Sequence, residues 1–189
     1  MSSRILVAYT TSEGQTAHVA RFIAETLAAD GGEVQLADLR RESPEPDRFD
    51  AVLIGGSVHA GKFQGELAGY VKANRERLNA LPSWLFAISL SEAIEGSPFG
   101  HEHAVEQIET FLEATGWKPR GTASVAGAVK YRDYSWPKRL GMRTVLAKSG
   151  GETDTSRNWE YTNWEGVREF AEGVARTVRG LRAPALSRP

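Results

Sequence analysis

Thr10-Thr11-Ser12-Glu13-Gly14-Gln15-Thr16 places four hydroxyls and one glycine between an apolar run and a helical pattern. The run before it, Ile5-Leu6-Val7-Ala8-Tyr9, reads as a buried parallel strand. After it, Val19, Phe22, Ile23, Thr26 and Leu27 recur at helical spacing. A strand-to-helix turn leaves backbone N–H groups without partners at the positive end of the helix, an arrangement that suits a phosphate. The hydroxyls of Thr10, Thr11, Ser12 and Thr16 add donors, and Gly14 lets the backbone fold around an anion.

The loop carries no Lys or Arg. It does not match GxxxxGK[ST] or GxGxxG, which disfavours a nucleoside triphosphate and a nicotinamide dinucleotide. A monophosphate held by hydrogen bonds is the remaining anion. A hydroxyl-rich turn that only caps a helix is the competing reading.

Such a loop needs a parallel sheet to position it. Strands are expected at 4–9, 33–38, 51–55, 84–90 and 122–129, and helices at 15–29, 66–80, 101–115 and 163–180. Alternation of strands and helices argues for an α/β domain with helices on both faces. Five strands with a phosphate loop after the first suit a flavodoxin-like, doubly wound sheet in the order 2-1-3-4-5, with FMN at the switch point between strands 1 and 3; flavodoxin is the standard example of this rule. The first loop resembles the flavodoxin phosphate loop. Residues 1–180 are expected to form one domain, with 131–160 as a basic insertion after the first half of the fifth strand and 181–189 as a fraying tail.

Ligands in such sheets meet the loops at the carboxyl ends of the strands. Gly55-Gly56-Ser57-Val58-His59-Ala60-Gly61 follows the third strand, and its glycines would let the backbone approach a flat ligand. Peptides at Ser57 and Val58 would meet flavin edges, and His59 or Phe63 would cover a ring face. Ser89, Leu90 and Ser91 follow the fourth strand, where the serines would meet the polar edge. Gly127, in the small-residue run Ala126-Gly127-Ala128, ends the fifth. Serines in turns commonly satisfy local backbone groups, and glycine-rich turns are common before helices.

Composition narrows the classes. The chain has 189 residues, 41% hydrophobic and 25% charged, ordinary for a water-soluble domain. It shows no leader pattern and no apolar run approaching the roughly 20 residues that span a bilayer, so a cytoplasmic protein is expected. Without cysteine there is no disulfide, thiol nucleophile or cysteine-ligated cluster. His101 and His103 stand two apart on an expected helix and face different ways, so no metal is expected. The net charge is −1, unevenly spread: residues 1–129 carry −6, residues 130–148 carry +5, and the remainder is neutral. A compact basic block asks for an anionic partner.

Beyond the fifth strand the chain becomes distinctive. Tyr131-Arg132-Asp133-Tyr134-Ser135-Trp136-Pro137-Lys138-Arg139-Leu140 leads through Lys148 to Ser149-Gly150-Gly151-Glu152-Thr153-Asp154-Thr155 and then Tyr161-Thr162-Asn163-Trp164-Glu165. Thr162 and Glu165 have capping-box spacing and would start the last helix. Together with Glu13-Gly14-Gln15-Thr16 and Ala126–Tyr131, this pattern resembles the menaquinone-dependent protoporphyrinogen IX oxidase family, flavodoxin-like proteins of haem biosynthesis, over roughly residues 4–178. In place of a basic-aromatic pair the second loop has His59-Ala60.

The resemblance implies FMN-dependent oxidation of protoporphyrinogen IX to protoporphyrin IX with a quinone as acceptor. It lays Thr10, Thr11, Ser12, Glu13, Gly14, Gln15 and Thr16 on the phosphate loop. Ser57–His59, Ser89–Ser91 and Gly127 fall on flavin-facing loops. Lys130, Arg132, Lys138, Arg139 and Arg143 are candidates for porphyrinogen propionates or for peripheral contact with an anionic membrane. A solvated helix face is the competing reading of that block. No nucleic-acid partner is expected, no residue is assigned a catalytic role, and the oligomeric state stays open. A flavodoxin-like electron carrier, a general quinone reductase and a scaffold without cofactor are the readings from other classes.

Overall fold

A computed structural model describes residues 2–59, 61–90, 98–148 and 152–182. Five parallel strands order as β2-β1-β3-β5-β6, where β1 is Arg4–Tyr9, β2 Glu33–Asp38, β3 Ala51–His59, β5 Ser83–Ser89 and β6 Gly121–Ala126. Counting parallel strands alone, this is the 2-1-3-4-5 order. The short β4 (Lys62–Phe63) folds back antiparallel on the end of β3.

Alternation along the strands builds two cores. From β1, Ile5 and Val7 face one layer while Leu6 and Ala8 face the other; β5 likewise splits Trp84, Phe86 and Ile88 from Leu85 and Ala87. The first layer is closed by α1 (Gln15–Ala29) and α6 (Trp164–Arg182). Val19, Ile23 and Leu27 of α1 meet the same core as Val167, Ala171, Val174 and Val178 of α6, each set at helical spacing. Arg179 of α6 pairs with Asp30 just past α1. The second layer is closed by α2 (Gly65–Ala73), α3 (Arg75–Ala80) and α4 (Pro98–Thr115).

Three expected elements differ in form. The helix expected over 66–80 divides at Asn74, whose side-chain amide donates to the Tyr70 carbonyl at 3.0 Å. Asparagine competes in this way with helical backbone bonds, and the chain bends there. The strand expected to end at Gly55 continues to His59 and turns into β4, so Gly55 to His59 are strand rather than loop. The strand expected over 122–129 breaks at Gly127. Its partner β5 has ended, and the chain instead forms β7 (Ala128–Val129) antiparallel to β8 (Trp159–Glu160).

Between β7 and β8 the basic segment forms a 3-10 turn at Tyr131–Asp133 and helix α5 (Trp136–Lys148). A third cluster anchors it: Val129, Tyr131, Tyr134 and Leu146 are buried, with Leu90, Trp159 and Tyr161 against them. The last helix starts one residue later than its capping-box spacing suggests. Asn163 caps it, its side-chain oxygen accepting the Gly166 N–H at 3.0 Å. The Thr162 hydroxyl instead donates to the Ala126 carbonyl at 2.9 Å, tying the helix entry to β6. Asn163→Ala is expected to cost about 1 kcal/mol, the usual worth of a polar N-cap. Urea denaturation checks this, and a variant as stable as the parent would contradict the cap. Of the tail expected at 181–189, residues 181 and 182 belong to α6, and 183–189 lie outside the described residues.

Candidate functional site

The first loop leaves β1 at the carboxyl edge of the sheet, where the Thr10 N–H donates to the Gly55 carbonyl at 3.0 Å. It enters α1 through Gly14, whose φ of 87° lies in the left-handed region that favours glycine. No side chain caps the helix start. The first-turn N–H groups at Gln15, Thr16 and Ala17 have no acceptor within the helix.

Each hydroxyl of the loop has a distinct setting. Thr10 donates to the Gln64 side-chain oxygen at 2.9 Å. Thr11 accepts the Gly14 N–H at 2.8 Å, which leaves its own proton available. Ser12 accepts from the Gln64 amide at 3.3 Å. The Thr16 hydroxyl is fully buried and has no partner among the described residues. An unpaired buried hydroxyl costs free energy unless something takes its hydrogen bond.

A single cavity joins this loop to the neighbouring strand ends. Thr11, Glu13, Gln15 and Thr16 line it from the first loop, Ser57 and Val58 from β3, Ile88 and Leu90 from β5 and its exit, and Gly127 and Ala128 from the β6–β7 turn. Ser57 accepts from the Gln64 amide. The Ser89 carbonyl takes the Gly127 N–H at 3.1 Å, and the Gly127 carbonyl takes the Tyr161 N–H at 3.1 Å. Gly127 is therefore a wall whose peptide groups face the protein. Ser91 and the side chain of His59 lie outside the described residues.

Gly55 and Gly56 have a packing origin. A β-carbon on Gly55 would stand 1.9 Å from the tip of the Phe86 ring. One on Gly56 would crowd Leu67 and Phe63 at 3.0 Å each. Their smallness makes room for side chains of the two cores.

The basic segment returns to the same loop. Lys130 donates its ammonium to the Glu13 carbonyl at 2.7 Å. The Tyr134 hydroxyl donates to the Glu13 carboxylate at 2.6 Å. Burial, and then the hydrogen bond to Glu13, raise the Tyr134 pKa well above that of an ordinary phenol, so the hydroxyl keeps its proton and remains the donor. Gln15 reaches the other way, donating to Glu160 at 3.0 Å and to Thr162 at 2.9 Å.

The remaining cations divide by use. Arg139 donates to the carbonyls of Tyr131 and Tyr134 at 2.9 and 3.3 Å and so closes the 3-10 turn. Arg132 is held through its backbone N–H by Asn158, while its side chain is exposed, as is that of Arg143. The side chains of Lys138, Val145 and Lys148, and residues 149–151 of the Ser149–Thr155 motif, lie outside the described residues. On α5, Trp136 and Leu140 are 74% and 49% exposed one turn apart. His103 pairs with Glu106 at 3.3 Å within α4.

Three contributors escape sequence reading. Gln64 bridges Thr10, Ser12 and Ser57, and only the β3–β4 hairpin brings it there. Glu160 and Thr162 hold Gln15 from 145 and 147 residues away. The Tyr161-Thr162-Asn163 motif is the sole trace of that contact in the sequence.

The arrangement is a hydroxyl-rich turn at an uncapped helix start beside an apolar slot, at the switch point of a doubly wound sheet. A family model described as a flavodoxin domain matches residues 6–156, and the chain belongs to that family. Curated relatives narrow the similarity further. The chain is 32% identical over 175 residues to Protoporphyrinogen IX dehydrogenase [quinone] of Escherichia coli strain K12, covering 91% of this chain and 94% of that protein. A protein of the same name from Leishmania major is 29% identical over 188 residues, covering 92% of this chain and 75% of that one. Among solved structures, oxidised Flavodoxin 1 from Bacillus cereus superposes with a TM-score of 0.56 at 14% identity, covering 92% of this chain and 98% of that one. At that identity it supports the fold alone. Among the described residues no helix is long and apolar enough to cross a membrane.

Proposed function

We propose that this chain binds FMN and oxidises protoporphyrinogen IX to protoporphyrin IX, passing the electrons to a quinone. The observation that carries the substrate assignment is the similarity to the Escherichia coli enzyme, 32% across 94% of that protein's length, which takes in the basic segment as well as the sheet. The cofactor assignment has its own physical support. The Thr16 hydroxyl is buried without a partner, at an uncapped helix start, in a cavity that also holds Thr11. A phosphate ester supplies the acceptors that these donors lack.

In this reading, Thr11, Ser12, Thr16 and the first-turn peptides of α1 hold the phosphate. Val58 and Leu90 flank the ring system from β3 and from the exit of β5. FMN, when bound there, would supply the two-electron redox chemistry that links porphyrinogen oxidation to quinone reduction. Six electrons and six protons leave each porphyrinogen, and three quinones become three quinols. The chain's own residues bind, orient and exclude water, and no side-chain nucleophile is required. The exposed side chains of Arg132 and Arg143, carried by the same basic segment as the exposed Trp136 and Leu140, are suited to the propionates and apolar edge of a tetrapyrrole.

The test uses the purified chain reconstituted with FMN, protoporphyrinogen IX and a menaquinone analogue under anaerobic conditions. Porphyrin fluorescence is expected to rise well above the rate without protein, and to depend on the quinone. A yellow protein that leaves the porphyrinogen untouched would point instead to an electron carrier, and a chain that cannot take up FMN would overturn the cofactor assignment.

A further inference from the structure

We infer that Lys130 is the counter-charge of the anion loop, a cation delivered from β7 to the phosphate of FMN that the Thr11–Thr16 turn receives. The inference rests on the FMN reading and adds to it a residue that the loop's own sequence does not contain.

The electrostatic need is plain. A phosphate monoester carries a charge of about −1.5 to −2 at neutral pH, whereas a helix N-terminus offers roughly +0.5. The loop holds no Lys or Arg, and it brings the carboxyl-bearing Glu13 into the same cavity. Hydrogen bonds alone would leave the site with excess negative charge.

Lys130 is placed to correct that. Its ammonium lies 2.7 Å from the Glu13 carbonyl and 3.4 Å from where a β-carbon on Gly14 would stand. It therefore sits against the turn itself. An ammonium has three donors, and the Glu13 carbonyl takes one. The adjoining backbone is held on both sides. Val129 and Tyr131 are fully buried, Val129 pairs with Trp159 of β8, and the Lys130 carbonyl accepts the Asp133 N–H at 2.9 Å. Tyr134 engages the Glu13 carboxylate at 2.6 Å, so backbone and side chain of this residue are held by separate donors from the basic segment. Arg139, by contrast, is committed to the carbonyls of Tyr131 and Tyr134.

A lysine that only braced β7 against the loop would support any flavin equally. One that neutralises phosphate would act on FMN and spare riboflavin, which has the same ring and ribityl chain without the phosphate. The experiment therefore titrates the apoprotein with each ligand, following the quenching of flavin fluorescence, for the wild type, Lys130→Met, Lys130→Gln and Lys130→Arg. The wild type is expected to prefer FMN. Lys130→Met and Lys130→Gln are expected to lose about tenfold in FMN affinity with riboflavin changed by less than about twofold, the worth of one charged hydrogen bond. Lys130→Arg should recover most of the loss. Added salt should weaken FMN binding more in the wild type than in Lys130→Met. Equal weakening of both ligands, or no change in either, would overturn the inference while leaving FMN binding intact. A wild type that does not bind FMN would instead overturn the reading beneath it, and the inference with it.

Discussion

Thr16→Val is expected to lower FMN affinity by about thirtyfold while leaving the apoprotein as stable as the wild type, or slightly more so. The two effects have opposite signs because the Thr16 hydroxyl is buried without a partner. In the empty site it contributes only an unpaid desolvation cost, which valine, with nearly the same shape, removes. Threonine and valine are both β-branched with similar helix propensities, so α1 itself should not register the change. With phosphate present, the same hydroxyl becomes a charge-assisted donor, and its loss is felt in full. Thr11→Val serves as the contrast. That hydroxyl accepts the Gly14 N–H at 2.8 Å, so its removal should destabilise the apoprotein by about 1 kcal/mol as well as weaken the ligand. Thermal melting of the apoproteins and FMN titration measure both quantities. A Thr16→Val protein that melts well below the wild type yet keeps its FMN affinity would show that the hydroxyl serves the fold alone.

Where the sequence was legible, the signal was local and periodic. The bounds of β1, β2 and α1 follow from an apolar run, a short β-rich stretch and one helical stripe, and each element needs only its own residues to be recognised. The strand order follows from the position of the hydroxyl-rich turn and the α/β alternation. What escaped depends on distant partners. Lys130 meets the loop from 117 residues away, and its role depends on where Gly127 redirects the chain, which no spacing reveals. Thr162 matched a capping box, but the Ala126 carbonyl and Gln15 compete for its hydroxyl, and Asn163 takes the cap. Gly55, within β3, illustrates the same limit most clearly. Its smallness is visible in the sequence, while the object that needs the space, a phenylalanine ring on the next strand, is not.

That ring makes Gly55→Ala the more severe of the two substitutions, with an expected loss of about 3 kcal/mol from the folded state. Gly55 lies between Tyr9 of β1 and Phe86 of β5 in the parallel register, and Ala123 follows Phe86 on β6. Phe86 is fully buried, and its ring occupies the space above Gly55. An alanine β-carbon would meet three of its ring atoms at 1.9, 2.0 and 2.6 Å, separations that no packing tolerates. Exposed rings swing aside cheaply, but this one is enclosed by the layer that holds Val7, Ile23 and Leu53. The strands must therefore separate or the ring must leave its rotamer. Either response moves β3, whose Gly55 carbonyl accepts the Thr10 N–H and whose next residues carry Ser57 and Val58 to the cavity. FMN affinity should fall together with stability. A double-mutant cycle with Phe86→Leu isolates the cause, because leucine lacks the ring atoms that collide. Gly55→Ala is expected to cost much less in the Phe86→Leu background than in the wild type, by urea denaturation. Equal costs in both backgrounds would mean that Gly55 is required for some reason other than the Phe86 ring.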